Sequence, residues 1–347
     1  MKNIRDLTKI ELNNYLDSLG EPRYRLKQIF NWLHKSIVYD MAEMTNVSKK
    51  LLSQIESDFL VDFPIIKEEF ISKKDETRKY LIKLTDGNII ETVLMKYKYG
   101  FSICISSQVG CNMGCKFCAS GMNGLLRNLS VYELLAQVYL VSKHIDKHIS
   151  NIVIMGTGEP LNNFDNIIKF LNIINDEEGQ NISLRNITIS TCGIVNNIYK
   201  LADMKMPINI ALSLHASNDD IRRSIMPISK KYTIVELVDS MYYYYTMTGR
   251  RVTFEYSLID NVNDSKECAE ELANLLKDRY KNKQMDYLVN LIPINKVKGL
   301  SYDTPKDGRI YRFKDILEKN KIDVTIRREL GSDISGSCGQ LRAKFIK

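Results

Sequence analysis

The sequence predicts an α/β protein: an open, partial (β/α)6 barrel with a small N-terminal helical unit and a β-hairpin extension. Beyond residue 104, short apolar strand candidates alternate with segments of helical periodicity, the pattern of repeated βα units and a parallel sheet. Before residue 60 the periodicity is helical only. Between these regions RKYLIKL and NIIETVLMKY flank Asp86-Gly87, a strong hairpin signal. The order fits an open barrel better than a doubly wound sheet, a choice that periodicity alone does not close. The expected division is 1–65 helical accessory domain, 66–103 hairpin extension and 104–347 barrel.

In the helical unit Leu12, Leu16 and Leu19 fall at helical spacing, Gly20 is a stop signal, and Pro22 suits the first turn of a second helix. That second helix, PRYRLKQIFNWLHKSI, interleaves Arg23, Arg25, Lys27 and Lys35 with Tyr24, Phe30 and Trp32. It reads either as an amphipathic helix with inward aromatics and solvated charges, or as an RNA-contacting surface. After the hairpin, the strand FSICISS leads directly into a cysteine cluster. The later strand candidates are NIVIMG, NITIS, INIALSL, VTFEYSL, YLVNLIPI and IDVTIRREL. YTIVELVDSMYYYYTM and SKECAEELANLLKDRY are among the helical segments between them. Polar residues gather at the C-terminal ends of these strands: Gly158-Glu159-Pro160, Ser190-Thr191-Cys192, Ser213-Leu214-His215 and Asn295. In parallel βα architectures that face carries the active site.

At 347 residues the chain is long enough for a barrel core and a smaller accessory unit. No stretch approaches the roughly 20 apolar residues of a membrane span, and MKNIRDLTKIEL lacks the apolar core of a signal peptide. The expectation is a cytoplasmic protein with no membrane partner. A net charge of +7 is compatible with a nucleic-acid partner without demanding one. Seven cysteines, an odd number in such a chain, argue against a disulfide scaffold and for metal binding or thiol chemistry.

The segment SSQVGCNMGCKFCASG holds Cys111, Cys115 and Cys118 as C-x3-C-x2-C. Iron–sulfur clusters are held by closely spaced thiolates, and three ligands leave one iron of a [4Fe–4S] cluster open. S-adenosylmethionine (SAM) can chelate that iron through its amino and carboxylate groups. One electron then cleaves its C–S bond to a 5′-deoxyadenosyl radical, chemistry supplied by the cofactor. Gly110 and Gly114 suit a tight wrap around a cluster. The competing reading is a zinc site with Cys104 as fourth ligand, but structural zinc ligands usually pair as two separated knuckles. Gly156-Thr157-Gly158-Glu159-Pro160-Leu161 fails the G-x-G-x-x-G pattern, so a conventional nucleotide-binding methyltransferase fold has no support. Carbonyls of the Gly158-Glu159-Pro160 turn are candidates to receive the SAM amino group, with Ser190, Ser213 and Asn295 for its ribose and carboxylate and His215 shaping the pocket.

These residues carry a family resemblance. EPRYRLKQIFNWLH, SQVGCNMGCKFC, GEPLNN, STCGI, SLHA, IMPI, VNLIPIN, RRELGSDI and CGQL, which span nearly the whole chain, resemble the RlmN/Cfr family of radical SAM RNA methyltransferases, and its RlmN branch in particular. The resemblance implies a radical SAM barrel and methylation of C2 of an adenine in 23S rRNA and in certain tRNAs. It also implies two SAM molecules consumed per methylation. By the same resemblance Cys338 carries the methyl group, Cys104 resolves the protein–RNA thioether by forming a transient disulfide with Cys338, and Glu91 accepts the C2 proton. Without it, Cys338 and Cys104 would read as buried packing cysteines and Glu91 as a solvent-facing acid. Cys192 and Cys268 match no role and are left to packing.

Thr157 stands where the family usually has methionine, while Pro160 favours the RlmN branch over Cfr. The alternatives are a Cfr-like enzyme acting at adenine C8 and a zinc-stabilised RNA-binding protein without catalysis. A radical SAM enzyme acting on a small molecule is disfavoured by the basic-aromatic helix and the Cys104/Cys338 pair. The expected partners are RNA and an electron donor such as flavodoxin or ferredoxin, with the chain acting as a monomer.

Overall fold

The computed structural model describes residues 1–280, 285–297 and 299–341. The chain opens with α1 (Lys9–Ser18), α2 (Tyr24–Asn31) and α3 (Lys49–Asp58). The threonine of a Thr8/Glu11 capping box starts α1, and Ser48 caps α3. The second helix begins at Tyr24 rather than Pro22, with Arg23 at its N-cap. It continues as a wider turn over Trp32–Ser36 and ends at Ile37 in a left-handed conformation.

Four strands follow, β1 (Ile65–Ile71), β2 (Arg78–Lys83), β3 (Ile89–Tyr97) and β4 (Gly100–Cys104), each antiparallel to the next. The Asp86-Gly87 turn forms between β2 and β3 as expected, with Gly87 at positive φ. The short strands β5 (Gln108–Gly110) and β6 (Leu125–Asn128) make a separate ribbon.

The βα units then run in order: α4 (Val131–Ile145), β7 (Ile149–Ile154), α5 (Phe164–Ile174), β8 (Ile187–Thr191), α6 (Val195–Asp203), β9 (Asn209–Ser213), α7 (Asp219–Ile225), α8 (Ile234–Thr248), β10 (Val252–Leu258), α9 (Lys266–Tyr280), β11 (Tyr287–Pro293), α10 (Asp307–Lys319) and β12 (Val324–Ile326). Capping boxes at Ser130/Glu133 and Thr233/Glu236 start the two longest of the capped helices.

The ten-stranded sheet has the order β1-β2-β3-β4-β7-β8-β9-β10-β11-β12. From β4 onward every neighbour is parallel and next in the main-chain path, the winding of a barrel rather than of a doubly wound sheet. Six βα units lie between β4 and β12, and the sheet ends at β1 and β12 without closing. The hairpin strands thus extend the barrel sheet itself. Of the expected strand IDVTIRREL only Val324–Ile326 pairs; the chain then leaves the sheet. A single apolar core joins Ile29, Phe30 and Leu33 of the helical unit to the barrel. Among the described residues no helix is long and apolar enough to cross a membrane.

Candidate active site

The cysteine loop is the loop of the β5–β6 ribbon. Its base is closed by the Cys111 N–H donating to the Gly124 carbonyl at 2.9 Å, and the Cys118 N–H donates to the Cys115 carbonyl at 3.1 Å. Gly114, at φ +65°, supplies the turn between the first two cysteines. All three thiols line one cavity of about 960 Å³, its open mouth included. Burial pushes the Cys111 thiol up to about 12, and it also raises Cys115 and Cys118. The thiols of the metal-free chain therefore keep their protons until iron displaces them.

Three soft donors from one loop, facing a shared space, fit a [4Fe–4S] cluster with one iron left for SAM. Among the described residues no group of three or more His, Cys, Asp or Glu side chains is placed to hold a single metal ion. Cys104 lies outside this cavity lining, in an apolar cluster with Val93, Met95 and Leu341, so it cannot complete a zinc site.

The strand ends supply the opposite wall. Gly158, Glu159, Ser190, Ser213, His215 and Asn295 line the same cavity, but Leu214 does not. The Leu214 side chain is fully buried, and its carbonyl accepts from Arg222 Nε at 3.0 Å. The Glu159 carboxylate is committed within the protein: it accepts from the N–H groups of Leu161 at 3.0 Å and Cys192 at 2.7 Å. It pins the turn to the end of β8. Gly158 has φ +111°, and a Cβ there would stand 2.6 Å from Gln108 Cβ, so the turn requires glycine. His215 Nδ1 accepts from the Ser257 N–H at 2.9 Å, and burial pushes the imidazole down to about 3. The ring is neutral and packs edge-on against Phe117. It shapes the wall.

Cys338 also lines the cavity, although β12 has ended twelve residues earlier, at Ile326. The loop that delivers it is held on three sides. Asn295 Nδ2 donates to the Cys338 carbonyl at 3.0 Å, and the Ala119 N–H in the cysteine loop donates to the Gly339 carbonyl at 2.8 Å. From the hairpin side, Asp75 accepts the Gly331 N–H at 2.9 Å, while Asp333 accepts from the Ser72 hydroxyl at 2.7 Å and the Lys73 N–H at 3.0 Å. Cys104, at the end of β4, is buried. Its thiol is pushed up to about 12 by that burial and by nearby Cys338, with Arg327 acting against them. Glu91 is buried on β3, and Lys79 Nζ stands 3.4 Å from its Oε1. The same ammonium donates to the Ser335 carbonyl at 3.4 Å, joining Glu91 to the Cys338 loop.

Several residues of this site escaped the sequence. Arg327 lines the cavity, and its guanidinium is held charged by Cys338 first and, against desolvation, by Glu255 and Cys104. Arg222 is fully buried and donates to the carbonyls of Cys192 at 2.7 Å and Ser213 at 3.2 Å, bracing two strand ends. Cys192, left to packing, also lines the cavity, whereas Cys268 belongs to the core. In the second helix Phe30 is buried but Tyr24 is exposed, so the aromatics do not all pack inward. Arg25 is tied to the Asn46 carbonyl at 2.9 Å and Lys27 to Glu178 at 3.3 Å. Both bind within the protein.

A singly wound open barrel with a three-cysteine loop at the C-terminal ends of its strands defines a radical SAM enzyme. A family model for the radical SAM superfamily matches residues 105–276, and one for the ribosomal RNA large subunit methyltransferase N-terminal domain matches residues 2–61. The probable dual-specificity RNA methyltransferase RlmN of Clostridium novyi is 50% identical over 347 residues, covering 100% of this chain and 99% of that protein. Its counterpart in Alkaliphilus metalliredigens is 50% identical, covering 98% and 95%. The crystal structure of a radical SAM methyltransferase from Sphaerobacter thermophilus superposes with a TM-score of 0.91 at 41% identity, covering 98% of this chain and 99% of that one. The chain belongs to the RlmN family of radical SAM RNA methyltransferases. That membership removes the zinc-stabilised, non-catalytic alternative.

Proposed function

We propose that this enzyme methylates C2 of an adenine in 23S rRNA, and of an adenine in certain tRNAs, by way of a methyl group carried on Cys338. The observation that carries the reading is the convergence of Cys338 with Cys111, Cys115 and Cys118 on one cavity, although more than 200 positions separate them. When bound as one [4Fe–4S] cluster per chain, the iron site supplies the electron that opens SAM reductively. In this reading Gly158, Ser190, Ser213 and Asn295, which line the cavity, hold SAM, and neutral His215 is a wall rather than a proton carrier.

Adenine C2 offers no nucleophilic lone pair, so a methyl group must reach it through another atom. Cys338 would take that group from one SAM; the radical that a second SAM supplies would remove a hydrogen atom from the S-methyl group, whose carbon would then join C2 with return of one electron to the cluster. Glu91 accepts the C2 proton. The Cys104 sulfur then attacks that of Cys338 and breaks its bond to the methylene carbon, which takes up a proton to become the methyl group; the RNA is released and a Cys104–Cys338 disulfide remains to be reduced. Pro160, which opens a short helical turn after Glu159, supports the C2 assignment over C8. The remaining elements of the proposal are cytoplasmic action as a monomer and an electron donor of the flavodoxin or ferredoxin class.

The test is mass spectrometry of 23S rRNA and tRNA from cells with and without the protein. A new methyl group at adenine C2 is the expected result. A methyl at C8, or none on RNA, overturns the assignment.

A further inference from the structure

We infer that Tyr97 and Tyr99 form a stacking platform for an unpaired nucleobase flanking the target adenine, at the rim of the site. The inference rests on the RNA-methyltransferase reading and adds a recognition element to it.

Alternation along β3 puts Glu91, Val93, Met95 and Tyr97 on one face of the sheet. Val93 lies opposite Cys104, Met95 opposite Ser102 and Tyr97 opposite Gly100. The row begins at the proposed proton acceptor, passes the resolving thiol and emerges into solvent at Tyr97. Glu91, Val93 and Met95 are buried, whereas Tyr97 is 38% exposed. Across the turn, Tyr99 is 65% exposed and lies parallel to Tyr97, with ring centroids 5.0 Å apart and planes at 7°. Gly100, the backbone partner of Tyr97, has φ +128°, and a Cβ there would meet Ser150 Oγ at 2.2 Å, so the turn beside the pair requires glycine.

The pair is also anchored to the site. The Tyr97 hydroxyl donates to Met95 Sδ at 3.7 Å, and Met95 packs with Cys104 and Leu341, three positions beyond Cys338. Arg327, Arg328 and Cys338 all lie close enough for their charges to act on the Tyr97 phenol. Lys98 and Arg328 are exposed beside the rings, so cationic groups flank an aromatic face. That pairing suits single-stranded RNA, whose bases stack on aromatic side chains while its phosphates meet cations. From the Val93–Cys104 pair to Tyr97 the strand runs about 13 Å. That distance is about two extended nucleotides, so a base close to the target reaches the rings while the adenine occupies the cavity.

The test uses the full-length holoenzyme and a synthetic RNA stem-loop with the target adenine in an unpaired loop. The stem-loop is used intact or with single flanking nucleotides replaced by abasic sites. Tyr99→Leu should weaken RNA binding about 5- to 150-fold, the range for losing one stacked base, with the loss falling on KM and with iron content and melting midpoint held. Tyr99→Trp should restore binding. One abasic position should weaken the wild type by a similar factor and Tyr99→Leu no further. If Tyr97→Leu and Tyr99→Leu bind the intact stem-loop as wild type does, or every abasic loss adds fully to theirs, the platform is wrong. Methylation of the stem-loop by the wild type keeps that failure separate from a failure of the enzymatic reading, which would appear as no methyl transfer to RNA at all.

Discussion

Arg327 stands among Cys338, Cys104, Glu255 and Tyr97, all of which favour its charged form. Placed there, it offers positive charge to whichever of the two thiols becomes a thiolate. The two cysteines themselves should fail at different stages. Cys338→Ala should stop the reaction before any bond to RNA forms, while Cys104→Ala should form the thioether and then stall with RNA attached through Cys338. Denaturing gels of each variant expressed in cells, with nuclease digestion and peptide mass spectrometry, distinguish these outcomes; two variants that both still methylate RNA would refute the roles. The Thr157 N–H donates to the Ser106 hydroxyl oxygen at 3.0 Å, and its carbonyl accepts from the N–H groups of Ser107 and Gln108, yet its own buried hydroxyl has no partner among the described residues. Only its backbone builds the turn. Thr157→Val should therefore raise the melting midpoint, by an amount corresponding to about 1 kcal/mol for a relieved buried hydroxyl. A lower midpoint in thermal melts would mean that the hydroxyl is satisfied in solution.

At the scale of elements, the Cys338 loop works as a strap fastened by the β1–β2 turn. Asp75 and Asp333 make reciprocal bonds across that junction, each accepting backbone N–H groups of the other segment. Asp75→Ala or Asp333→Ala should raise hydrogen exchange across residues 328–341 and slow RNA methylation on the order of tenfold, the scale of one charge-assisted hydrogen bond. Asp333→Asn, which keeps an acceptor oxygen, should recover part of the rate. Unchanged exchange in both alanine variants would show that the strap is held elsewhere. This fastening was not legible in the sequence, because its partners lie about 260 positions apart and leave no local pattern. The strands were legible because buried parallel strands are runs of Ile and Val, and the hairpin because its turn needs Asp-Gly. The cysteine loop announced itself by spacing. Arg222 and Arg327 were hidden for a different reason. A charge in a short polar helix or past a strand end resembles a solvated one, and only the assembled fold shows unpaired carbonyls or thiols awaiting it.

At the scale of the molecule, the helical unit is built into the barrel. Asp6 Oδ1 accepts the Tyr132 N–H at 2.8 Å on α4, Lys9 pairs with Asp176 at 3.1 Å just beyond α5, and Gln180 donates to the His34 carbonyl at 2.8 Å. At the centre of this junction His34 is fully buried, with Nδ1 3.0 Å from the Tyr139 hydroxyl and Nε2 without a partner among the described residues. Burial, reinforced by the charge of Arg5, pushes its imidazole down to about 3. An unfolded chain takes up that proton near the ordinary value of 6.5, whereas the folded one does not. Stability from this group is therefore intact above about pH 6.5 and falls as pH drops toward 3, with a loss of about 2 kcal/mol already at pH 5. His34→Phe keeps an aromatic ring against Phe30 but removes the titration, at the cost of the Tyr139 bond. At pH 7.5 the wild type should be the more stable protein, and by pH 5.0 the difference should narrow by about 2 kcal/mol. Acid damage to a bound cluster affects both proteins alike and cancels in the comparison. Thermal or urea unfolding of both at the two pH values measures it, and a difference that stays constant between pH 7.5 and 5.0 would show that His34 is not held neutral at this junction.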